Sequence, residues 1–391
     1  MTALRLAHAS DLHCCERNRL DDWIGLHQIL VEQVHESRCD LALLTGDLFH
    51  AKSTPAERNA MAGFLLRLAD MCPVLIVKGN HDAADDLDIF SCLSARYPIT
   101  VRDRPGTDVI ETPNGAVAVY SIPWFDRAHL VAGLSATVDS EATRNLTIDA
   151  ARQLLTVARA HVDQARDKGY LPILVGHLMV AGSETSTGQT LIGTTVELSP
   201  GDLADVGAEY VAIGHVHKRQ TWSDGRISYA GSTWPQNFGE DHPHGWNLVT
   251  FEDGGFVSNE FVELPARRIV LIEADYTDPL APVVTGGGTD DLRGALVRYR
   301  YRVSAQHLHS INDADIEEGL RRAGAHEVTL EAVKEQETRV RSEAIVSAKS
   351  NFEKVKATLD AKGITPDAAT LERIAAKLAE IESRAREEVA A

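Results

Sequence analysis

Five short segments gather residue types that bind divalent metals: Asp11-Leu12-His13, Gly46-Asp47, Gly79-Asn80-His81-Asp82, Gly176-His177 and Gly214-His215-Val216-His217. Their donors are carboxylate, imidazole and amide oxygen, a set that suits Mn²⁺, Fe²⁺ or Zn²⁺ and lacks the thiolates a structural zinc site prefers. A carboxylate shared by two cations holds them roughly 3.5–4 Å apart, the span that clamps one phosphate, and Asp47 is the natural bridge. A phosphodiester is an anion that repels hydroxide. Its hydrolysis therefore calls for cations that neutralise the phosphate and lower the pKa of bound water. Taken singly, a D-x-H or a G-H after an apolar run is an ordinary polar turn. All five in one chain point instead to one shared two-metal site.

Such a site needs elements that bring the five segments together. Each follows a short apolar run that reads as a strand: Leu4–Ala9, Leu41–Thr45, Val74–Lys78, Ile173–Gly176 and Tyr210–Ile213, with a further strand at Val117–Ile122. Between them lie amphipathic stretches such as Ile24–Ser37 and Ala150–Lys168, so the class is α/β, with ligands gathered at the carboxyl ends of the strands. Thr54-Pro55-Ala56-Glu57 carries a capping box with proline at the first helical position and opens another helix.

Beyond Pro265 the texture changes: Arg268–Ala274 and Leu296–Val303 read as strands, Thr285–Thr289 as a glycine loop and Ala314–Arg322 as a short helix, together a small α/β appendage. From about Arg339 the pattern is helical, with Ile345, Ala348, Phe352, Val355 and Leu359 on one stripe. Leu371, Ile374, Leu378, Ile381 and Ala385 form a second, after a stop at Gly363 and a start at Thr365-Pro366. Three regions are expected: 1–265, 266–338 and a helical hairpin over 339–391. The hairpin's stripe either folds onto the core or grips a partner.

The 391 residues carry a net charge of −18, of which −15 falls in residues 1–265 and −3 in 266–391. That balance argues against simple electrostatic adhesion to nucleic acid. The five cysteines (Cys14, Cys15, Cys39, Cys72 and Cys92) form no C-x-x-C pair, so reduced thiols are expected rather than a zinc ribbon or a disulfide framework. No apolar run approaches the roughly 20 residues that cross a bilayer, and the N-terminus has no signal-peptide layout, so a cytoplasmic protein is expected. His242-Pro243-His244 and His307-Leu308-His309 read as surface histidines. Asp82, Asp85, Asp86 and Asp88 read as a solvated helix start, with Asp82 able to orient His81.

The ordered set of motifs resembles the calcineurin-like metallophosphoesterase superfamily. Gly46-Asp47-Leu48-Phe49-His50 followed by Pro55, and the Tyr229-Ala230-Gly231-Ser232-Thr233 run, are similar to the SbcD-type nuclease subunit of the double-strand-break repair complex. Protein phosphatases carry an arginine-bearing G-D-x-x-D-R-G in that place. The resemblance covers residues 1–265 well, the appendage loosely and the hairpin by position and pattern. It implies a four-layer α/β/β/α sandwich with a small α/β capping domain and a C-terminal helical hairpin.

It also implies Mn²⁺-dependent 3′ to 5′ exonuclease and endonuclease activity on DNA with two divalent ions. One ion would be held by Asp11, His13, Asp47 and His217, the other by Asp47, Asn80, His177 and His215. His81 would stabilise or protonate the leaving 3′ oxygen, and His50 would help position the DNA strand. Trp234 and Phe238 would lie in the core or near the DNA path. Cys14-Cys15 departs from the family pattern. The hairpin would clasp the coiled-coil base of an SMC-like ATPase of the SbcC type, and a homodimer would form on the N-terminal helices. Two divalent ions against Asp11 and Asp47 leave the pocket cationic, so it attracts phosphate although the chain is acidic.

An alternative keeps the enzyme class and takes nucleotides, cyclic nucleotides or phosphoproteins as substrate. The Gly46–His50 motif, the absent phosphatase arginine and the extra C-terminal modules weigh against it. A non-catalytic scaffold would typically have lost ligands, and here no ligand position is missing.

Overall fold

Along β1 (Leu4–Ala9), Leu4 and Leu6 enter one core and Ala7 and Ala9 another, the period-2 pattern of a strand buried on both faces. In the computed structural model, which describes residues 3–17, 19–83, 85–124, 140–186, 189, 197–240, 242–278, 281–286, 291–304, 308–335 and 348–390, β1 is central in a six-stranded sheet. Its companions are β2 (Leu41–Leu44), β3 (Val74–Val77), β4 (Ile99–Arg102), β13 (Gly245–Glu252) and β14 (Gly255–Glu263), in the order β14-β13-β1-β2-β3-β4. β1 to β4 run parallel, and β13 closes antiparallel on β1 with Leu6 opposite Val249.

A second sheet comprises β5 (Gly106–Thr112), β6 (Gly115–Ile122), β7 (Leu171–His177), β10 (Tyr210–Gly214), β11 (Gln220–Trp222) and β12 (Ile227–Tyr229), in the order β11-β12-β10-β7-β6-β5. A two-stranded ladder joins β8 (Met179–Val180) to β9 (Glu197–Leu198).

Three cores define the layers. Between the sheets pack Leu43, Leu75, Val119, Ile173, Tyr210 and Phe251. Outside the first sheet, Trp23 and Leu30 of α1 (Leu20–Glu36) and Phe64 and Leu68 of α2 (Pro55–Ala69) cover Ala42, Leu44 and Ile76. Outside the second, Leu155, Ala158 and Val162 of α3 (Ser140–Asp167) and Leu203 of α4 (Pro200–Ala204) cover Leu174, Val211 and Ile213. The result is an α/β/β/α sandwich. Its open ends are the carboxyl ends of the parallel strands, where the metal-binding motifs fall.

The expected elements are present with shifted ends. α2 starts at Pro55 on a capping box: the Thr54 hydroxyl accepts from Glu57 N at 3.3 Å and the Glu57 carboxylate accepts from Thr54 N at 2.7 Å. α1 starts four residues before Ile24, with Asp21 and Asp22 in its first turn, where acids complement the helix dipole. α3 starts ten residues before Ala150.

Beyond residue 265 lie β15 (Ile269–Asp275), β16 (Val283–Gly286), β17 (Leu296–Ser304) and β18 (Glu327–Glu335), in the order β16-β15-β17-β18, with α5 (Asp313–Arg322). Thr285 and Gly286, read as the start of a glycine loop, belong to β16; positions 287–289 lie outside the described residues. By contacts the chain divides into a unit of Met1–Glu273, Thr285–Tyr299 and Asp313–Glu331 and a unit of Ala274–Val284, Arg300–Asn312 and Ala332–Ala391.

The second unit holds α6 (Asn351–Ala361) and α7 (Ala368–Ala390). Ser350 and Glu353 form a capping box on α6, and Gly363 at φ 68° follows its end. α7 begins two residues after Pro366, because the Asp367 carboxylate accepts from Thr370 N at 2.7 Å and caps it. Arg339 and Ile345, the expected opening of the hairpin, lie outside the described residues. No helix among the described residues is long and apolar enough to cross a membrane.

Candidate metal centre

The loops after β1 and β2 run side by side: Asp11 N donates to Gly46 O at 3.0 Å, His13 N to Asp47 O at 2.9 Å and Cys14 N to Leu48 O at 2.8 Å. Asp11, His13, Asp47 and His215 all take positive φ, at 52°, 42°, 54° and 111°. Such backbone is sparse for residues with a Cβ and gathers at functional sites. Glycine makes the close approach possible. A Cβ on Gly79 would strike the Asp47 carboxylate, and one on Gly214 would strike the Thr45 carbonyl and the Ser10 hydroxyl.

All seven expected metal-binding side chains converge. His13 Nε2 lies 3.9 Å from Asp11 Oδ1, 3.8 Å from Asp47 Oδ2 and 3.1 Å from His217 Nε2. His177 Nε2 lies 3.4 Å from Asp47 Oδ2 and 2.9 Å from Asn80 Oδ1, which is also 2.9 Å from His215 Nδ1. Within this cluster, Asp11 groups with His13 and His217 and also with Asp47 and His177, in each case with ligand atoms within 4.8 Å of one another.

His50 and His81 lie beside the cluster. The His81 backbone N–H donates to Asp47 Oδ1 at 2.8 Å, and His81 Nδ1 donates to the His50 carbonyl at 2.8 Å. The His81 ring stands 5.0 Å from that of His13 and 5.5 Å from that of His50.

The electrostatics favour added positive charge. Burial raises the Asp11 carboxyl, against the pull of His177 and His217. Burial would raise Asp47 too, but His177 and His13 hold it well below the usual carboxylate range. Burial would lower His177, yet the charge and hydrogen bond of Asp47 lift it to about 9. Burial lowers His13 well below the histidine range and takes His215 down to about 3, leaving lone pairs free on both.

The donor set fits a pair of divalent cations. Neighbouring carboxylate, imidazole and amide acceptors lie 2.9–3.9 Å apart, and the buried Asp11 Oδ1 and His215 Nε2 have no hydrogen-bond partner.

Other residues brace the cluster that sequence reading passed over or read differently. Glu240 is buried and accepts from His217 Nδ1 at 2.8 Å, from Gln236 N at 2.9 Å and from Asn237 Nδ2 at 2.8 Å. Gln189 Nε2 donates to His215 O at 2.6 Å, and the Trp124 ring tilts over His215 at 5.0 Å.

Asp82 and Asp86 are buried, not solvated, because each neutralises backbone donors. Asp82 accepts from Asp47 N, Phe49 N and Gly79 N at 2.9–3.1 Å, and Asp86 from Ser53 N at 2.7 Å. Asp82 thus fixes the loop of Asp47 rather than His81, and burial followed by the nearby Asp47 charge pushes it up to about 6. His244, read as a surface residue, is buried too, whereas His309 is exposed and His307 lies outside the described residues. Trp234 belongs to the core, its indole N–H donating to Leu12 O at 2.8 Å, while Phe238 is half-buried under the Arg298 guanidinium. The cysteines are free thiols, with Cys14, Cys39 and Cys72 buried.

A family model described as calcineurin-like phosphoesterase matches residues 4–219, a span that includes all nine expected site residues. The chain belongs to this family. It is a hydrolase of the metallophosphoesterase kind, and Glu240 lies beyond the matched span.

Solved structures similar to this phosphoesterase include GAP50, the anchor in the inner membrane complex of Plasmodium, at 14% identity over 68% of this chain and 90% of that one, with a TM-score of 0.39. A dimetal phosphatase from Danio rerio matches at 14% identity over 66% of this chain and 98% of its own, TM-score 0.37. The protein TT1561 of Thermus thermophilus matches at 13% identity over 64% of this chain and 100% of its own, TM-score 0.35.

Proposed function

We propose that this phosphoesterase is a DNA nuclease subunit of the SbcD type, hydrolysing phosphodiester bonds with two divalent ions, Mn²⁺ foremost. The observation that carries the reading is the position of Asp47, whose Oδ2 lies 3.8 Å from His13 Nε2 and 3.4 Å from His177 Nε2, so that one carboxylate faces both halves of the donor cluster. Asp11, His13, Asp47 and His217 would hold one ion, and Asp47, Asn80, His177 and His215 the other. When bound, the pair supplies charge neutralisation at the phosphate and a more acidic water.

The chain's own groups do the remainder. His81 Nδ1–H is committed to the His50 carbonyl, which fixes the ring and leaves Nε2 to hold or pass a proton at the leaving 3′ oxygen. His50 is exposed beside it and orients the strand. The Gly46–His50 segment supports DNA over phosphoprotein as substrate.

The hairpin within 339–391 is proposed to dock on an SMC-like ATPase of the SbcC type. Support comes from its stripe: Phe352, Val355, Leu359, Leu371, Ile374 and Leu378 are half-buried and Ile381 is 53% exposed, more apolar surface than two helices cover between themselves. Such a partner would supply the DNA grip that an acidic chain lacks. A cytoplasmic homodimer through the N-terminal helices completes the proposal.

The test is turnover of end-labelled linear duplex DNA and of bis-p-nitrophenyl phosphate with Mn²⁺, with and without the co-expressed ATPase. Cleavage of the duplex is expected. Activity confined to the small diester or to nucleotides, even with the ATPase present, would reassign the site to a small-substrate phosphoesterase.

A further inference from the structure

Glu240, His242 and His244 each offer one ligand atom, and the three atoms lie within 4.8 Å of one another. Neither histidine belongs to the centre described above. His244 is only 5% exposed, and its Nδ1 faces Ser232, 3.0 Å from the hydroxyl and 3.3 Å from the carbonyl oxygen. The carbonyl can only accept, so Nδ1 carries the ring proton and Nε2 presents a lone pair. That Nε2 is buried and has no hydrogen-bond partner. An imidazole whose N–H is anchored on a backbone carbonyl and whose other nitrogen is bare is the arrangement of a metal-ligating histidine. The His242 ring stands 4.6 Å from that of His244, and its Nε2 lies 2.8 Å from the buried Ser186 hydroxyl.

We propose that Glu240, His242 and His244 form a third cation site, selective for Zn²⁺, distinct from the phosphodiester centre and joined to it through Glu240. Two imidazoles and one carboxylate suit zinc, whereas Mg²⁺ and Ca²⁺ favour all-oxygen cages. The consequence is positional. Glu240 accepts from His217 Nδ1 at 2.8 Å, so an ion that fixes this carboxylate also fixes the ring of His217.

The test uses the full chain, stripped of metal and dialysed against Zn²⁺, with metal counted by mass spectrometry and located in crystals by anomalous scattering at the zinc edge. A peak among Glu240, His242 and His244 is expected, separate from density around Asp47. His242→Ala, a change at a half-exposed position, should lower the count by one Zn²⁺ per chain and erase that peak while those around Asp47 remain. His244→Gln should do the same, with a melting curve confirming that it folds. No peak at this place in the unaltered chain, or an unchanged count in both variants, overturns the proposal. A peak here with none around Asp47 supports this site and removes the two-metal reading instead.

Discussion

Glu240 and His81 make opposite demands on a substitution. Glu240 touches no substrate in the proposed reaction; it orients His217. Carboxylates that hold a ligating histidine typically change metal affinity about 10–100-fold when removed. Glu240→Gln is therefore expected to weaken Mn²⁺ binding by about that factor in calorimetric titration, and unchanged affinity would dismiss its positioning role. His81 is outside the proposed ligand sets, so His81→Gln should leave bound metal unchanged and lower turnover by about 10²–10⁴, the usual worth of a positioned proton donor. Turnover that survives the change would pass the role to another group. The sequence singles out the nine residues that the fold brings together because their side-chain types are themselves the chemistry proposed for them. It is silent on Glu240, because a carboxylate 23 residues beyond His217 acquires meaning only when the chain folds back.

The elements impose their own constraints on the centre. Four of its side chains sit on positive-φ backbone, and Gly79, Gly214 and Gly46, where a Cβ would strike the His177 ring and the Gly79 backbone, yield the space those turns occupy. Gly214 adjoins His215, and a methyl there meets the Thr45 carbonyl and the Ser10 hydroxyl, neither of which can retreat from a packed loop. Gly214→Ala should cost about 1–3 kcal/mol in chemical denaturation and also weaken metal binding; full stability with full metal content would show that the loops are less tightly coupled than their hydrogen bonds imply. Thr54→Ala, which removes the cap of α2 and an exposed hydrogen bond to the Glu16 carboxylate at 2.8 Å, should cost about 1 kcal/mol and leave metal binding intact. The cap of α2 is legible in four consecutive residues. The β13–β14 hairpin carried an equally local signal, Asp253-Gly254 at φ 53° and 77°, a favoured two-residue turn. Its pairing with β1, across more than 230 residues, has no local signature, and neither does the burial of Asp82, Asp86 or His244, since polar residues advertise exposure until distant partners satisfy them.

Over the whole molecule, acid sensitivity should come from buried neutral histidines as well as from the metal centre. His27 packs between the rings of Trp23 and Phe64, and its Nδ1 donates to Trp23 O at 2.8 Å while its Nε2 faces the Thr233 hydroxyl at 3.0 Å. Burial lowers it to about 3, and burial does the same to His8, enclosed between Tyr210 and Thr45. A folded pKa below the unfolded value of about 6.5 means that the unfolded chain binds the extra proton. The stability each ring contributes is thus fully present above pH 6.5 and drains away as pH falls toward 3. Near one proton per ring, the slope approaches about 1.4 kcal/mol per pH unit, or about 2 kcal/mol for His27 between pH 7 and pH 5. Denaturation in excess chelator removes the contribution of metal release. Under those conditions His27→Gln should be destabilised at pH 7, and its deficit relative to the unaltered chain should shrink by about 2 kcal/mol at pH 5. Parallel pH profiles for the two chains would mean that His27 is protonated in the folded state after all, and that acid acts on this fold through other groups.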